Sequence, residues 1–242
     1  MNLEEFLIKM ENIKNLGFVR THRAGTTGIG KTLEDLLDIE ENNISGPDFD
    51  VYELKSMRKN ANSMLTLITK SPDSPQYANT FLRINYGYPS GNYDNAERVL
   101  HSTLDNIDFT RISNTGHCLK VAVDDYAVHI INESYDIVAS WGIDTLINSV
   151  NKKISSKQIV FVRAESRGQG ALEEFHYNEV YLLDGFSPES FIKLICDGRI
   201  KVDLRIGQYH DGPNKGKTHD HGTGFRIFEK DHYLLFNISR LL

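Results

Sequence analysis

Residues 201–207 read Lys-Val-Asp-Leu-Arg-Ile-Gly, an order that no amphipathic helix can use. Val202, Leu204 and Ile206 alternate with Lys201, Asp203 and Arg205, so an extended strand alone puts the apolar set on one face and the charged set on the other. The chain must therefore build a sheet with one side buried. Further strands are predicted over 51–57, 64–70, 158–166 and 179–184, and a hairpin over 119–131 turns near Asp124 and Asp125. Helices are predicted over 3–15, 29–39 and 187–198, while 71–95, rich in Pro, Asn and Gly, reads as loop. Strands and helices mix without regular βαβ alternation, which points to an α/β fold with a mixed sheet.

A chain of 242 residues, 40% of them hydrophobic, can fill one large domain or two intimate lobes. No Pro-rich linker or internal repeat separates independent parts. No apolar run is long enough to span a bilayer, and the N-terminus reads as an acidic amphipathic helix without a signal peptide's apolar stretch. The expectation is a cytoplasmic protein with no membrane partner. Cys118 and Cys196 lie far apart in apolar sequence, so buried thiols are expected in place of a zinc knuckle or disulfide.

The net charge of −6 argues against a protein that merely coats nucleic acid. Its distribution is less simple. Between residues 18 and 31 stand Arg20, Arg23 and Lys31 with no acid, and bases outnumber acids from Arg199 to Arg226. Acidic residues used as metal ligands would reconcile a negative total with a DNA enzyme.

Gly25, Gly30, Lys31 and Thr32 fit the phosphate-loop pattern G-x4-G-K-[ST]. Such a loop needs a buried strand feeding into it, and the preceding Val-Arg-Thr-His-Arg-Ala is polar and basic. Asp184, after an apolar strand, could complete a nucleotide site. The alternative is a glycine turn leading into a helix whose buried face is Leu33, Leu36 and Leu37, with Glu34 and Asp35 on its flanks.

Asp48 follows a Gly-Pro turn, and Glu53-Leu54-Lys55 follows it in a strand. Alternation places Glu53 and Lys55 on one face, roughly 6.5–7 Å apart. Asp48 must approach from a bend or a neighbouring strand. Two carboxylates beside an ammonium suit a magnesium site that activates water against a phosphodiester. The same residues also suit a plain surface salt bridge.

Pro-Asp-x4-Glu-x-Lys is the signature of the PD-(D/E)XK nucleases. The blocks "TGIGKTLEDLL", "PDFDVYELKS", "LTLITKSP", "ANTFLR", "IKVDLRIG" and "GKTHDHGTGFRI" together resemble, in order and over nearly the whole chain, the MvaI/BcnI-type restriction endonucleases, relatives of the mismatch-repair nicking enzyme MutH. The resemblance implies a restriction-endonuclease-like α/β core with a mixed sheet and a second DNA-recognition lobe around a cleft. Within one endonuclease unit it puts the catalytic motifs in about residues 1–110 and the recognition motifs in about 165–242. It implies catalytic roles for Asp48, Glu53 and Lys55, with Asp48 and Glu53 as Mg2+ ligands, and a further acid at Glu34 on the helix after the glycine turn.

Further implications are double-stranded DNA as substrate, a monomer cutting one strand at a time, and a cognate DNA methyltransferase encoded alongside but not stably bound. The implied target is 5′-CCWGG, cut after the second C, with CCSGG as the alternative. An inactive DNA-binding protein and a nucleotide hydrolase are the other classes to exclude.

Arg suits the O6 and N7 acceptors of guanine, and Asp can accept from the cytosine amino group, so Asp203 and Arg205 fit the reading of C·G pairs. A solvated strand face would carry the same residues. His210, His219 and His221 also permit a zinc reading. The resemblance makes their loop a DNA contact instead, with Lys215 and Lys217 near phosphate and His219, His221 and Arg226 near bases. Arg83 is expected to add a DNA contact, and Trp141 and the middle hairpin to be structural.

Overall fold

The computed structural model describes residues 1–40, 47–59, 64–155, 158–220 and 222–242, apart from 91–96. In chain order the first half contains α1 (Leu3–Asn15), β1 (Val19–Arg20), α2 (Gly28–Leu36), β2 (Tyr52–Arg58), β3 (Met64–Thr69), α3 (Ala78–Tyr86), β4 (Tyr88–Pro89), β5 (Arg98–Leu104) and β6 (Thr110–Arg111). There follow β7 (Cys118–Val123), β8 (Ala127–Asn132), β9 (Ile137–Gly142), α4 (Ile143–Val150), β10 (Gln158–Arg167), β11 (Glu174–Asp184), α5 (Pro188–Cys196), β12 (Ile200–Gln208), β13 (Thr218–Asp220), β14 (Gly224–Phe228) and β15 (Asn237–Arg240). Two compact units result. The first comprises Met1–Ser63, Ile154–Phe186 and His232–Leu242, and the second Met64–Lys153 and Ser187–Asp231.

In the first unit the strand order is β1-β11-β10-β2, with β15 also on β11. β2 runs parallel to β10 while β11 runs antiparallel to it, so the sheet is mixed and β2 is its edge. α1 starts on a capping box, in which Asn2 Oδ1 accepts from the Glu5 amide at 2.9 Å and Glu5 Oε2 accepts from the Asn2 amide at 3.0 Å. Its buried Phe6, Met10 and Ile13 recur at helical spacing and join Ile29, Leu33 and Leu37 of the α2 segment over Leu54, Val160, Val162 and Ala164 of the sheet. One face of the edge strand is thereby committed to the core. Glu53 and Lys55 must lie on the other.

The second unit contains a larger sheet, ordered β3-β14-β12-β5-β4 with β13 on β12, and a separate antiparallel meander of β6 to β9. Val202, Leu204 and Ile206 are fully buried, as the alternation requires. Trp141 is also fully buried, its Nε1 donating to the Lys70 carbonyl at 2.9 Å and its ring edge-on to Phe225. That indole is structural.

Three expectations need correction. The stretch over 71–95 is not all loop: α3 lies within it, because Ala78, Leu82 and Tyr86 recur every four residues and supply a buried helix face. Neither thiol is fully buried; Cys118 and Cys196 are free and half-buried, and burial raises the Cys196 pKa. α2 is also shorter than its apolar pattern, ending at Leu36 before Asp38 turns at φ 58°.

Candidate nuclease site and recognition face

Strand β2 begins directly after a tight turn. The Phe49 and Tyr52 backbones bond to each other in both directions, at 2.8 and 3.2 Å, with Asp50 at φ 46° between them. This reversal brings Asp48 back along the strand, where its Oδ2 accepts from the Leu54 amide at 2.6 Å. The bend expected for Asp48 is therefore this turn. Leu54 separates Glu53 from Lys55, whose Nζ donates to Glu53 Oε1 at 2.6 Å. Both side chains keep access to solvent, 22% for Glu53 and 38% for Lys55, so the pair is open to a ligand.

Across the strand, Glu34 and Lys55 line one hollow of about 320 Å³ with Arg23, Thr27, Lys31 and Ser56. Arg58, at the far end of β2, grips the loop leading to that hollow. Its guanidinium makes a two-pronged bond to Glu173, at 2.6 and 2.8 Å, and donates to the carbonyls of Gly25 and Thr26. Sequence reading missed Arg58 and Glu173, which stand 115 residues apart, because nothing local joins them.

The phosphate-loop pattern is built differently from a nucleotide site. Before Gly25 there is only the two-residue β1, which pairs with β11 at Val19 and Arg20. Lys31 Nζ is 2.8 Å from Asp35 one turn along α2, and His22 Nδ1 lies 2.9 Å from the other oxygen of Asp35. Hydrogen bonds from Lys31 and then His22 hold the Asp35 carboxyl below its usual pKa.

In the second unit, β12 carries Lys201, Asp203 and Arg205 on the face opposite its core residues. Asp203 is nonetheless buried, because Thr103 Oγ1 donates to one oxygen at 2.8 Å and Arg226 to the other at 2.7 Å. Arg226 also donates to the Met64 carbonyl, and its Nε is buried without a partner among the described residues. Arg205 sends Nε and a terminal nitrogen to the Gly222 carbonyl, at 3.1 and 2.7 Å. The structure thus brings Asp203, Arg205 and Arg226 together on one sheet face.

The other expected contacts are more dispersed. Lys215 and Lys217 are exposed on the turn before β13, Lys217 reaching Asn214. His219, on β13, packs its ring on Tyr209 at 4.4 Å. His221 lies outside the described residues. His210 pairs with Glu97 at 2.9 Å, and among the described residues no group of three His, Cys, Asp or Glu side chains could hold a metal ion. Arg83 is buried on α3 and donates to Thr218, Gln208 and the Arg98 carbonyl, so its guanidinium ties α3 to β12, β13 and β5; burial lowers its pKa.

An edge-strand carboxylate–lysine pair with a second carboxylate folded beside it is the equipment of a metal-assisted nuclease. The comparisons define that class more closely. The sequence pattern of the MvaI/BcnI restriction endonuclease family matches residues 7–236. The structure of restriction endonuclease MvaI with its cognate DNA substrate is similar over 100% of both chains, with 36% identity and a TM-score of 0.84. MvaI in the absence of DNA is 35% identical, with a TM-score of 0.61 over 100% of this chain and 99% of that one. No curated protein matches the chain.

The chain belongs to the MvaI/BcnI restriction endonuclease family. It is a type II restriction endonuclease, a site-specific DNA nuclease of a class that generally uses a divalent metal ion. Among the described residues no helix is long and apolar enough to cross a membrane.

Proposed function

We propose that this cytoplasmic enzyme uses Mg2+ to cut double-stranded DNA at 5′-CCWGG, after the second C, acting as a monomer on one strand at a time. The observation that carries the catalytic half is the Glu53–Lys55 pair at 2.6 Å with Asp48 bonded to the amide between them. The full-length similarity to MvaI, solved with its cognate DNA, supports DNA as substrate, and CCWGG, with CCSGG as the alternative, is the target that the sequence resemblance implies.

The donor set fits magnesium, which binds oxygen, uses one or two carboxylates and keeps several waters. Asp48 and Glu53 would hold it, and when bound it supplies Lewis-acid polarisation of the phosphodiester and a more acidic water. Lys55 orients the attacking water and offsets negative charge growing on the phosphate. Glu34, on α2, orients groups at the edge of the same site, and Arg58 fixes the loop in front of it. Lys31, paired with Asp35, takes no part in the chemistry and serves at most as a phosphate contact.

For recognition, Arg205 and Arg226 donate to guanine and Asp203 accepts from the cytosine amino group. Lys215 and Lys217 meet phosphates, while His219 and His221 meet bases. Arg83 acts by holding β13 in place through Thr218. The catalytic set falls in the first unit and the recognition set in the second. A cell making this enzyme needs a cognate methyltransferase to protect its own sites.

Digestion of a mapped plasmid with Mg2+, followed by end sequencing, tests activity, target and cut position together. Ends within CCWGG after the second C are expected. Ends within CCSGG would replace the target and leave the enzyme class intact.

A further inference from the structure

The register of β5 against β12 sets Thr103 opposite Asp203 and His101 opposite Arg205. Opposed residues of an antiparallel pair share a face, with Cβ atoms about 4.5–5.5 Å apart. The Thr103–Asp203 hydrogen bond bears this out for the first pair. His101 therefore stands beside Arg205 on the proposed recognition face, and it is exposed there.

Other described histidines are engaged: His22, His117, His129 and His210 each pair with a carboxylate. The His101 ring has no hydrogen-bond partner among the described residues. It lines two hollows at once, one of about 490 Å³ with Thr103, Asp203 and Arg205, the other of about 580 Å³ with Tyr209 and His219. A side chain placed there without a partner is positioned for something outside the chain.

Base edges suit it better than phosphate. An imidazole offers a donor and an acceptor in its neutral form, matching purine N7 or the cytosine amino group in the major groove. Asp203 on the same face is already neutralised by Arg226, so what favours a base edge over a phosphate is the neutral ring's paired donor and acceptor. Successive same-face residues on a strand are about 6.5–7 Å apart, close to two base-pair steps of about 3.4 Å, whereas a cross-strand neighbour is nearer. Side by side, His101 and Arg205 thus address adjoining bases.

We infer that His101 is a specificity-determining residue, hydrogen-bonding the base edge next to the guanine that Arg205 contacts. This rests on the recognition role proposed for β12. The test is competition binding and cleavage with CCWGG duplexes, a panel of single-pair changes and random duplex, using wild-type enzyme, His101→Ala, His101→Gln and Arg205→Ala. His101→Ala should weaken cognate binding about tenfold, erase discrimination at one base pair and leave random duplex unaffected, the pattern of a lost base contact. His101→Gln, which keeps a donor and an acceptor, should recover part of the loss. Equal weakening on every duplex, or no change, overturns the inference for His101. If Arg205→Ala loses selectivity in the same experiment, the proposed function survives that failure; if the wild-type enzyme cuts no specific site, the proposed function fails and the inference falls with it.

Discussion

Asp203 and Arg226, on adjacent strands β12 and β14, are joined by a 2.7 Å ion pair whose aspartate is buried. The pair supports the sheet before any DNA contact is made. Asp203→Ala would leave the Arg226 guanidinium partly buried without its counter-ion, and thermal or denaturant unfolding should report a loss of about 1–3 kcal/mol. Asp203→Asn, which preserves shape, should lose less stability and yet still lose discrimination at a C·G pair. Unchanged stability in Asp203→Ala would show that the pair contributes nothing to the sheet.

Recognition and electrostatic attraction separate in binding experiments. Arg205→Ala is expected to weaken cognate binding by about 1–3 kcal/mol with little effect on random duplex. Lys217→Ala, on an exposed turn, should weaken both and flatten the salt dependence. Equal losses on both duplexes for Arg205→Ala would make that side chain an electrostatic contact.

Catalysis should depend on Glu53 and Lys55 without depending on them for folding, since both are partly open to solvent. Glu53→Ala or Lys55→Ala is expected to slow cleavage by at least about 10²–10⁴-fold with specific binding retained. Asp48→Asn can keep an acceptor for the Leu54 amide while removing the charge, so it should inactivate with little change in melting temperature. Normal cleavage by any of these purified variants would remove that residue from the site. Glu34→Gln should slow cleavage less.

The glycines in the first turn of α2, with Lys31 beside them, give a separate test of the nucleotide reading. A Cβ at Gly28 would run into the Arg23 carbonyl and the Thr21 hydroxyl, whereas one at Gly30 would meet Ser56 Oγ at 3.7 Å, an ordinary contact. Gly28→Ala should therefore destabilise by about 1–3 kcal/mol, and Gly30→Ala should be neutral or better because alanine favours helix. Lys31→Ala should keep substantial cleavage, and ATP should neither be hydrolysed nor change the rate. ATP hydrolysis abolished in Lys31→Ala would restore the nucleotide reading.

Glu133, in the second unit, supplies a pH test that does not involve the proposed catalytic residues. The Cys118 amide and then His117 hold its pKa down to about 2, against 4.5 in the ordinary case. The unfolded chain therefore takes up this proton first as pH falls, and the stabilisation present above pH 4.5 drains away toward pH 2. Glu133→Gln should narrow the gap in melting temperature to wild type across that interval. A constant gap would mean that this carboxylate does not titrate as its surroundings require.

Local order was what the sequence could determine. The alternation in 201–207, the helix over 3–15 and the strand bearing Glu53 and Lys55 all follow from periodicity over a few residues, and the structure contains each of them. Six ordered blocks of resemblance pointed to the family that the whole-chain comparisons show. Other features depend on approach between distant segments: the turn that returns Asp48 to the Leu54 amide, the Arg58–Glu173 grip on the glycine loop, and the placing of β5 so that Thr103 and His101 flank β12. β5 is hard to read because Ser102 interrupts its buried alternation of Leu100 and Leu104. Side-chain periodicity specifies which face of an element seeks a core, but the partner across that face is chosen by packing the whole chain, and only tertiary structure brings Asp203 to Arg226 or His101 to Arg205.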